Sequence, residues 1–440
     1  MLLFLFTKTP LLYFVQSLWR DEAFSYLLSK KNLLSIVVLT AKDFNPPFYY
    51  LILHFWIRLF GGSEIALRSL SLIFYWATIY VIFLFFQNIC KFSFKKSLTY
   101  LPLVIINPIL VYYAFETRMY TALTFFASLS FYAFYKKKSR LYLYSSILGL
   151  YTHYFMIFVL MVQLIFILLA EKRKKLSHLK NIFISFAVFL PWLIYFLQQK
   201  FLSSLNFWVE KPKLFTIANL LGLIYLGHEA PGYTTNINLL EKIVFWTNLV
   251  LISIFILGFL SIKKKVNKNN KRLFPYLLLW SIFIPVSILL LSFIKPLFLP
   301  RYLIFVTVGF LILIIYNLDK INLILRIPLI VVLLILTLVY QKQQISYRQK
   351  TDTRKIVMEI RSLAKKNDRL YVTNELDFLK VQYYFPENQV YIFGKSYQEI
   401  PDFVGKILIP SERIINNLPI YPNKAFILNS DGSYEIKAVY

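Results

Sequence analysis

The run Pro47-Phe48-Tyr49-Tyr50-Leu51-Ile52-Leu53-His54-Phe55-Trp56-Ile57-Arg58-Leu59-Phe60 decides how the rest of the chain is threaded. It is apolar, but as a helix rising 1.5 Å per residue it is only about 21 Å long, short of the roughly 30 Å hydrocarbon layer of a bilayer. Tyr50, His54 and Arg58 fall at i, i+4 and i+8 and form one polar stripe, the pattern of a helix lying in an interface. Were the run a crossing, the basic loop of Lys91, Lys95 and Lys96 would move to the outer side, against the positive-inside rule. Residues 19–67 are therefore expected wholly on the outer face.

Composition supports a polytopic membrane protein. The 440 residues are 58% hydrophobic and 16% charged, and the mean hydropathy is +0.60. Soluble domains are about 45–50% apolar and about a quarter charged. The net charge of +28 would indicate nucleic acid in a soluble protein. Here Lys and Arg cluster in short loops between apolar runs, as cytoplasmic loops do, so nucleic acid is set aside. Many of the 32 Tyr suit interfacial anchoring. The single cysteine, Cys90, excludes an intrachain disulfide and a Cys-based metal site. The first apolar run has no basic n-region and no small-residue cleavage site, so it reads as a membrane helix.

The basic loops set the sidedness. They are Lys91 with Lys95 and Lys96, residues 136–138 with Arg140, residues 172–175, and residues 263–265 with Lys268, Lys271 and Arg272. With these inside, about eleven transmembrane helices follow from the apolar lengths. They cover 1–18, 68–88, 97–113, 119–135, 141–152, 155–170, 182–197, 243–262, 273–293, 302–316 and 323–340. The N-terminus is then cytoplasmic, in a plasma membrane. The outer loop 198–242 carries Trp208, Pro212, Pro231 and Gly232, and its stretch 214–226 is expected to be a second interfacial helix. Beyond 340 the charge content becomes ordinary. Residues 341–440 are expected to form a small extracytoplasmic α/β domain beside the transmembrane domain 1–340, with a helix over 353–366 and strands near 370–372 and 390–393. This part contains no Gly-rich phosphate loop and no metal-ligand spacing.

This threading collects a particular set of polar residues on the outer face. Asp21 and Glu22 follow the first helix in Trp19-Arg20-Asp21-Glu22-Ala23. Asp43-Phe44-Asn45-Pro46-Pro47 precedes the short run. Glu116-Thr117-Arg118-Met119-Tyr120 joins the third and fourth helices. His153 lies in Tyr151-Thr152-His153-Tyr154, and Arg301 in Pro300-Arg301-Tyr302. Each alone has an ordinary explanation: a solvated acidic loop, a structural histidine, an arginine reaching toward headgroups, a proline turn opening a helix. Together on one face they mark a site.

The same strings, with Leu59-Phe60-Gly61-Gly62-Ser63-Glu64 and Arg68, carry a resemblance. Over about 18–316 the chain resembles the GT-C membrane glycosyltransferases. More narrowly it resembles the bacterial and archaeal relatives of the dolichyl-phosphate-mannose protein mannosyltransferases, glycosyltransferase family 39. The resemblance implies a hexosyl or pentosyl transferase that moves a sugar from a polyprenyl-phosphate donor to a lipid, glycan or protein acceptor outside the cytoplasm. It places one acidic residue in the first outer loop, matched by Asp21 with Glu22 beside it. A second lies after the third helix, matched by Glu116 where relatives carry Asp.

The residue types suit that chemistry. A carboxylate within reach of a sugar hydroxyl takes its proton as attack proceeds, and Asp21 is the candidate base of an inverting single displacement. The leaving phosphate gains charge and needs cations placed in advance, and arginine's fork fits it. Arg118 and Arg301 are the candidates, with His153 beside them. Asp43, Asn45, His54, Tyr120 and Tyr302 are candidates for the substrate pocket. Glu116 is expected to hold the acceptor, orient Arg118 or bind a divalent ion. Acidic oxygens suit Mg²⁺ or Mn²⁺, but scattered carboxylates do not establish a metal, which stays optional. The competing class is a transporter or lipid flippase of the cell envelope, which needs polar residues or broken helices near mid-membrane. A non-catalytic scaffold and a ligase-like glycan enzyme with a diphosphate-linked donor are further alternatives. Protease protection tests the threading: a tag on the C-terminus is expected to be digested from outside intact cells, and a protected tag would reverse the sidedness.

Overall fold

The computed structural model describes residues 2–170, 175–200, 209–229, 237–264, 272–385 and 389–440. Most of the basic loops at 172–175 and 263–271, together with Trp208, Pro231 and Gly232, lie outside the described residues.

The expected first crossing is two short helices, α1 (Leu2–Lys8) and α2 (Leu12–Val15). Pro10 lacks the amide proton that would continue α1, and its ring excludes the helical carbonyl four residues back. Three helices follow before the first long apolar helix: α3 (Arg20–Ser29), α4 (Leu33–Lys42) and α5 (Phe48–Phe60). Asn32 caps α4 by accepting the Ser35 amide at 2.8 Å. Helix α5 has the expected short length, but only Arg58 of its polar stripe is exposed, and the other two members face inward. Tyr50 and His54 are buried, whereas Phe55, Leu59 and Phe60 are exposed. Periodicity identifies a polar face without saying whether water or protein covers it, and here α3 does: His54 Nδ1 lies 2.7 Å from the Ser29 carbonyl.

The bundle follows. It comprises α6 (Glu64–Asn88), α7 (Phe94–Ile105), α8 (Pro108–Ala114), α9 (Tyr120–Tyr135), α10 (Ser139–Thr152), α11 (Met156–Ala170) and α12 (Lys175–Lys200). Next come α13 (Leu214–Ala218), α14 (Leu220–Leu226), α15 (Ile237–Lys264), α16 (Leu273–Leu278), α17 (Ile284–Leu291), α18 (Ile304–Lys320) and α19 (Leu323–Tyr347). Among the described residues six helical stretches are long and apolar enough to cross a membrane, and α7 with α8 adds a seventh as one span bent by 72°. Asn107 and Pro108 make that bend, Asn107 capping α8 through the Leu110 amide at 3.4 Å. Helices α9, α10 and α11 stand where the fourth to sixth crossings are expected but have 16, 14 and 15 residues. The expected interfacial helix 214–226 is instead two short helices, and most of α14 is buried against α15, α18 and α8.

Helix α18 is the axis of the bundle: its most apolar window is 89% buried, against 17% for α19 at the periphery. A π-helical turn (Leu279–Phe283) joins α16 to α17 just before Pro285, where a regular helical hydrogen bond has no donor. This turn carries Trp280, which stacks on Phe131 with ring centroids 4.0 Å apart and donates to the Phe305 carbonyl at 3.1 Å.

The chain ends in α20 (Thr353–Leu363), β1 (Arg369–Val372), α21 (Glu375–Tyr384), β2 (Val390–Ile392), β3 (Ala425–Leu428) and β4 (Tyr434–Lys437). The sheet order is β2-β1-β3-β4, with β1 parallel to β2 and β3, and β4 antiparallel to β3. This unit is stitched to the residues that flank α3 and to the start of α6. The Leu18 amide donates to Tyr384 Oη at 2.8 Å, Tyr384 Oη donates to Glu64 at 2.9 Å, and Ser17 Oγ donates to Asp352 at 2.7 Å.

A Cβ on Gly309 of α18 would lie 2.4 Å from the Trp280 ring, which its stacking and hydrogen bond hold in place. Gly309→Ala is expected to destabilise the protein by about 1–3 kcal/mol through overpacking. Thermal unfolding in detergent checks this, and an unchanged Tm would show that Trp280 yields freely.

Candidate active site

Asp21 lies in the first turn of α3, where its side chain reaches an open pocket at one end of the bundle. Arg20, Phe24, Asp43, Phe44, Asn45, Arg118, Tyr120, Arg301 and Tyr302 line this pocket with it. Phe403, Val404 and Gly405 of the terminal α/β unit complete the wall. Five separate stretches of chain therefore meet at Asp21. Arg20 Nε is 3.0 Å from its carboxylate, and Arg118 reaches the Asp21 carbonyl at 3.5 Å. Burial pushes the Asp21 carboxyl up, but the Arg20, Arg118 and Arg301 charges outweigh it and hold the group down at about 2.

Glu22, one residue on, points the other way. Arg68 of α6 grips it from Nε at 2.8 Å and Nη2 at 2.7 Å, and the Lys350 ammonium lies at 2.8 Å. The Thr117 amide donates to it at 3.1 Å and the Trp19 amide at 3.3 Å. Burial disfavours its charge, yet Arg68 and Lys350 hold its pKa below the usual carboxylate range. The expectation of a catalytic Glu22 is corrected on this point: its oxygens are occupied within the protein and it does not line the pocket.

The turn between α8 and α9 is pinned by Ser71, whose hydroxyl donates to the Glu116 carbonyl at 2.5 Å. The Glu116 side chain is buried, and neither carboxylate oxygen has a partner among the described residues. Burial pushes it up to about 7, with Glu22 and Asp21 adding to the rise and Lys350 and Arg301 opposing it. It stands behind the pocket wall, not in the lining.

Arg301 sits in a 3₁₀ turn (Pro300–Leu303) at the head of α18. Glu229 holds it three ways: one oxygen accepts from the Arg301 amide at 3.0 Å and from Nε at 3.0 Å, and the other bonds Nη2. Arg348 Nη2 approaches the same carboxylate at 3.6 Å.

His153 departs from the expected phosphate-binding role. It is buried, and with Arg118 nearby it is held down at about 3, so it is neutral at physiological pH. Its Nδ1 accepts the Phe155 amide at 3.1 Å, which opens α11, and its ring backs Tyr302 at 5.8 Å. His54 likewise packs α5 on α3, away from the pocket. The structure thus brings together Asp21, Asp43, Asn45, Arg118, Tyr120, Arg301 and Tyr302. No three His, Cys, Asp or Glu side chains converge as a metal set among the described residues.

Sequence reasoning missed the pairing of Arg68 with Glu22, and it missed Glu229, Arg348, Lys350 and the Phe403 wall. One signal was present: a Glu in the long loop 198–242 and two cations shortly after the last apolar run are scarce charges in an apolar chain.

No protein-family model matches the chain, and no curated protein matches its sequence. Solved structures do match its fold. The crystal structure of ArnT from Cupriavidus metallidurans in the apo state superposes with a TM-score of 0.63 at 11% identity, over 96% of this chain and 91% of that one. ArnT from the same organism bound to undecaprenyl phosphate superposes with a TM-score of 0.50 at 11% identity, over 98% and 93%. The chain therefore has the polytopic, mostly helical GT-C fold of ArnT, closed by a small mixed sheet.

Proposed function

We propose that the protein is a membrane glycosyltransferase that takes a sugar from a polyprenyl phosphate and passes it to a hydroxyl or amino group of a lipid, glycan or protein. The observation that carries this reading is the convergence of Asp21 and Asp43 with Arg118 and Arg301 on one aromatic-walled pocket. The pocket lies in the fold of a protein one of whose crystal structures holds undecaprenyl phosphate. The motifs around Asp21 and Pro46 favour the protein mannosyltransferase relatives within that fold.

In the proposed reaction the acceptor oxygen or nitrogen attacks the anomeric carbon as the bond from that carbon to the phosphate oxygen breaks. The electron pair leaves with the phosphate, the acceptor proton passes to Asp21, and the centre inverts. Arg118 and Arg301 stabilise the charge that develops on the phosphate. Phe24, Phe44, Tyr120, Tyr302 and Phe403 offer faces for a sugar ring. An apolar cleft lined by Val37, Pro47, Phe48, Leu51, Tyr151, Pro191, Trp192 and Tyr195 opens next to the Asp43–Asn45 segment. A prenyl tail gains about 0.8 kcal/mol for each CH₂ it buries there or in lipid, so its sugar is met at the bilayer boundary.

Asp21→Asn keeps the shape and removes the base. Transfer from a panel of radiolabelled polyprenyl-phosphate sugars is expected to fall about 10²–10⁴-fold, with donor binding retained. Full activity in the variant would overturn the assignment of Asp21.

Glu116 gives a pH signature. Its pKa rises from the ordinary 4.5 to about 7 in the folded protein, so folding favours the protonated form. That contribution to stability is fully present below 4.5 and is lost as the pH rises through about 7. Glu116→Gln is expected to flatten the fall in Tm across this window. Parallel curves for variant and parent would show that Glu116 is not held neutral.

A further inference from the structure

Helix α5 turns most of its polar side chains into the protein and its apolar ones out. Phe55 is 50%, Leu59 75% and Phe60 57% exposed, while Tyr50 and His54 are buried. Leu51, Phe55 and Leu59 recur every fourth residue and so share one face of the helix. Helix α4 packs beside α5 and adds Leu33 and Leu34, both exposed. Val37 of α4 and Leu51 of α5 line the same apolar cleft, so the apolar faces of the two helices adjoin there.

Two observations put this face at a bilayer boundary. Only Gly61, Gly62 and Ser63 separate α5 from α6, which is apolar enough to cross a membrane. Ile65, Ile73 and Trp76 of α6 are exposed, so the apolar surface at the end of α5 runs on into that of a span. Helix α4 in turn packs on α12, a second such span, which exposes Ile194 and Leu197. A continuous apolar surface of this kind marks a contact with lipid or protein. Helix α5 itself is too short to cross, so it ends where the span begins.

The charges beside this face are of one sign. Residues 23–42 and 44–63 hold Lys30, Lys31, Lys42 and Arg58 and no Asp or Glu. Lys31 and Arg58 are exposed. They follow Ser29 and His54, which join α3 to α5 at 2.7 Å. The two flanking acids are engaged elsewhere. Asp43 lines the pocket, and Glu64 accepts from Arg354 at 3.1 Å and from Tyr384 at 2.9 Å.

We propose that the α4–α5 hairpin docks on anionic phospholipid headgroups. Lys31 and Arg58 meet the lipid phosphates, and Leu34, Phe55, Leu59 and Phe60 enter the acyl layer beneath them. Cations beside exposed Leu and Phe on a short helix hold it to an anionic bilayer surface by charge and apolar burial together. The turn between the two helices carries Asp43, Phe44 and Asn45 into the pocket lining. Docking of the hairpin therefore fixes one wall of the pocket at the level of the headgroups.

The test uses the full-length protein in nanodiscs of equal phosphatidylglycerol and phosphatidylcholine. One lipid at a time carries a photoactivatable acyl chain, and crosslinks are mapped by mass spectrometry. The phosphatidylglycerol probe is expected to label residues 33–34 and 55–60 about fivefold more than the phosphatidylcholine probe, the order of preference that one cation near an anionic surface supplies. Lys31→Gln combined with Arg58→Gln is expected to erase the preference and leave phosphatidylcholine labelling as it was. Lys365→Gln with Lys366→Gln, two exposed cations of the terminal unit, removes the same charge elsewhere and is expected to change nothing. Thermal unfolding shows that both pairs of variants are folded. Equal labelling by the two probes in the parent would overturn the anionic preference. No labelling of residues 33–34 and 55–60 by either probe would overturn the docking surface. An equal loss in the Lys365 and Lys366 pair would overturn it as well, by showing an effect of net charge alone. None of these readouts requires sugar transfer, so the proposed function stands or falls separately.

Discussion

The arrangement depends on one buried ion cluster: the Glu22 carboxylate, fully removed from solvent, held by Arg68 and Lys350. A buried ion pair repays its desolvation only when its remaining hydrogen-bonding positions are filled. Here the filling comes from four places in the chain. Arg68 belongs to α6, the Trp19 and Thr117 amides to the start of α3 and the α8–α9 turn, and Lys350 to the stretch after α19. Arg68 also donates to the Gln16 and Ser17 carbonyls at 2.6 and 3.2 Å, which fixes the approach to α3. Removing one partner of such a cluster costs about 3–5 kcal/mol. The cluster thus sets where α3 begins. Successive helical residues point about 100° apart, so anchoring Glu22 inward leaves Asp21 facing the pocket. Two adjacent carboxylates thus meet different surroundings, Glu22 paired inside the protein and Asp21 at the pocket.

Much of this was legible in the residues. Hydropathy and basic loops located the apolar helices from α6 onward, and alternating segments located β1 and β2. The grouping of Asp21, Asp43, Asn45, Arg118, Tyr120, Arg301 and Tyr302 follows from placing their loops on one face. What was not legible shares a physical cause. A sequence shows which residues are polar, not which partner each will find. Asp21 and Glu22 are indistinguishable until Arg68 takes one of them. The Tyr50–His54 stripe looks the same whether it meets water or Ser29. His153 looks like a cation until burial makes it neutral. Glu229 and Phe403 lie far along the chain from Asp21, and only the closed fold brings them near.

The terminal α/β unit belongs to the site as much as the bundle does. Gly405 has φ +85°, and a Cβ there would come within 2.7 Å of the Phe24 ring and 2.9 Å of Leu379. Only glycine lets the backbone of this wall lie flat on α3. Phe403 and Val404 are thereby set opposite Asp21, while the Tyr384 and Asp352 contacts keep the unit from tilting away. A division of the chain near 340 separates two folding patterns but passes through a single pocket.

Electrostatics then link the two halves of the proposed reaction. A carboxylate held at about 2 by three arginines is ionised but a weak base. On the proposed reading, the donor's phosphate brings a further negative charge within reach of Arg118 and Arg301. Once Arg118 and Arg301 turn to the phosphate, their hold on Asp21 relaxes and its proton affinity rises toward the ordinary carboxylate range. An acceptor that arrives without donor meets a base too weak to activate it, so water alone is a poor competitor in the resting site. The same cations that suppress Asp21 before the donor binds stabilise the leaving group afterward. A cation-rich pocket around a catalytic carboxylate is therefore consistent with acid–base chemistry, because the substrate's own charge completes the site.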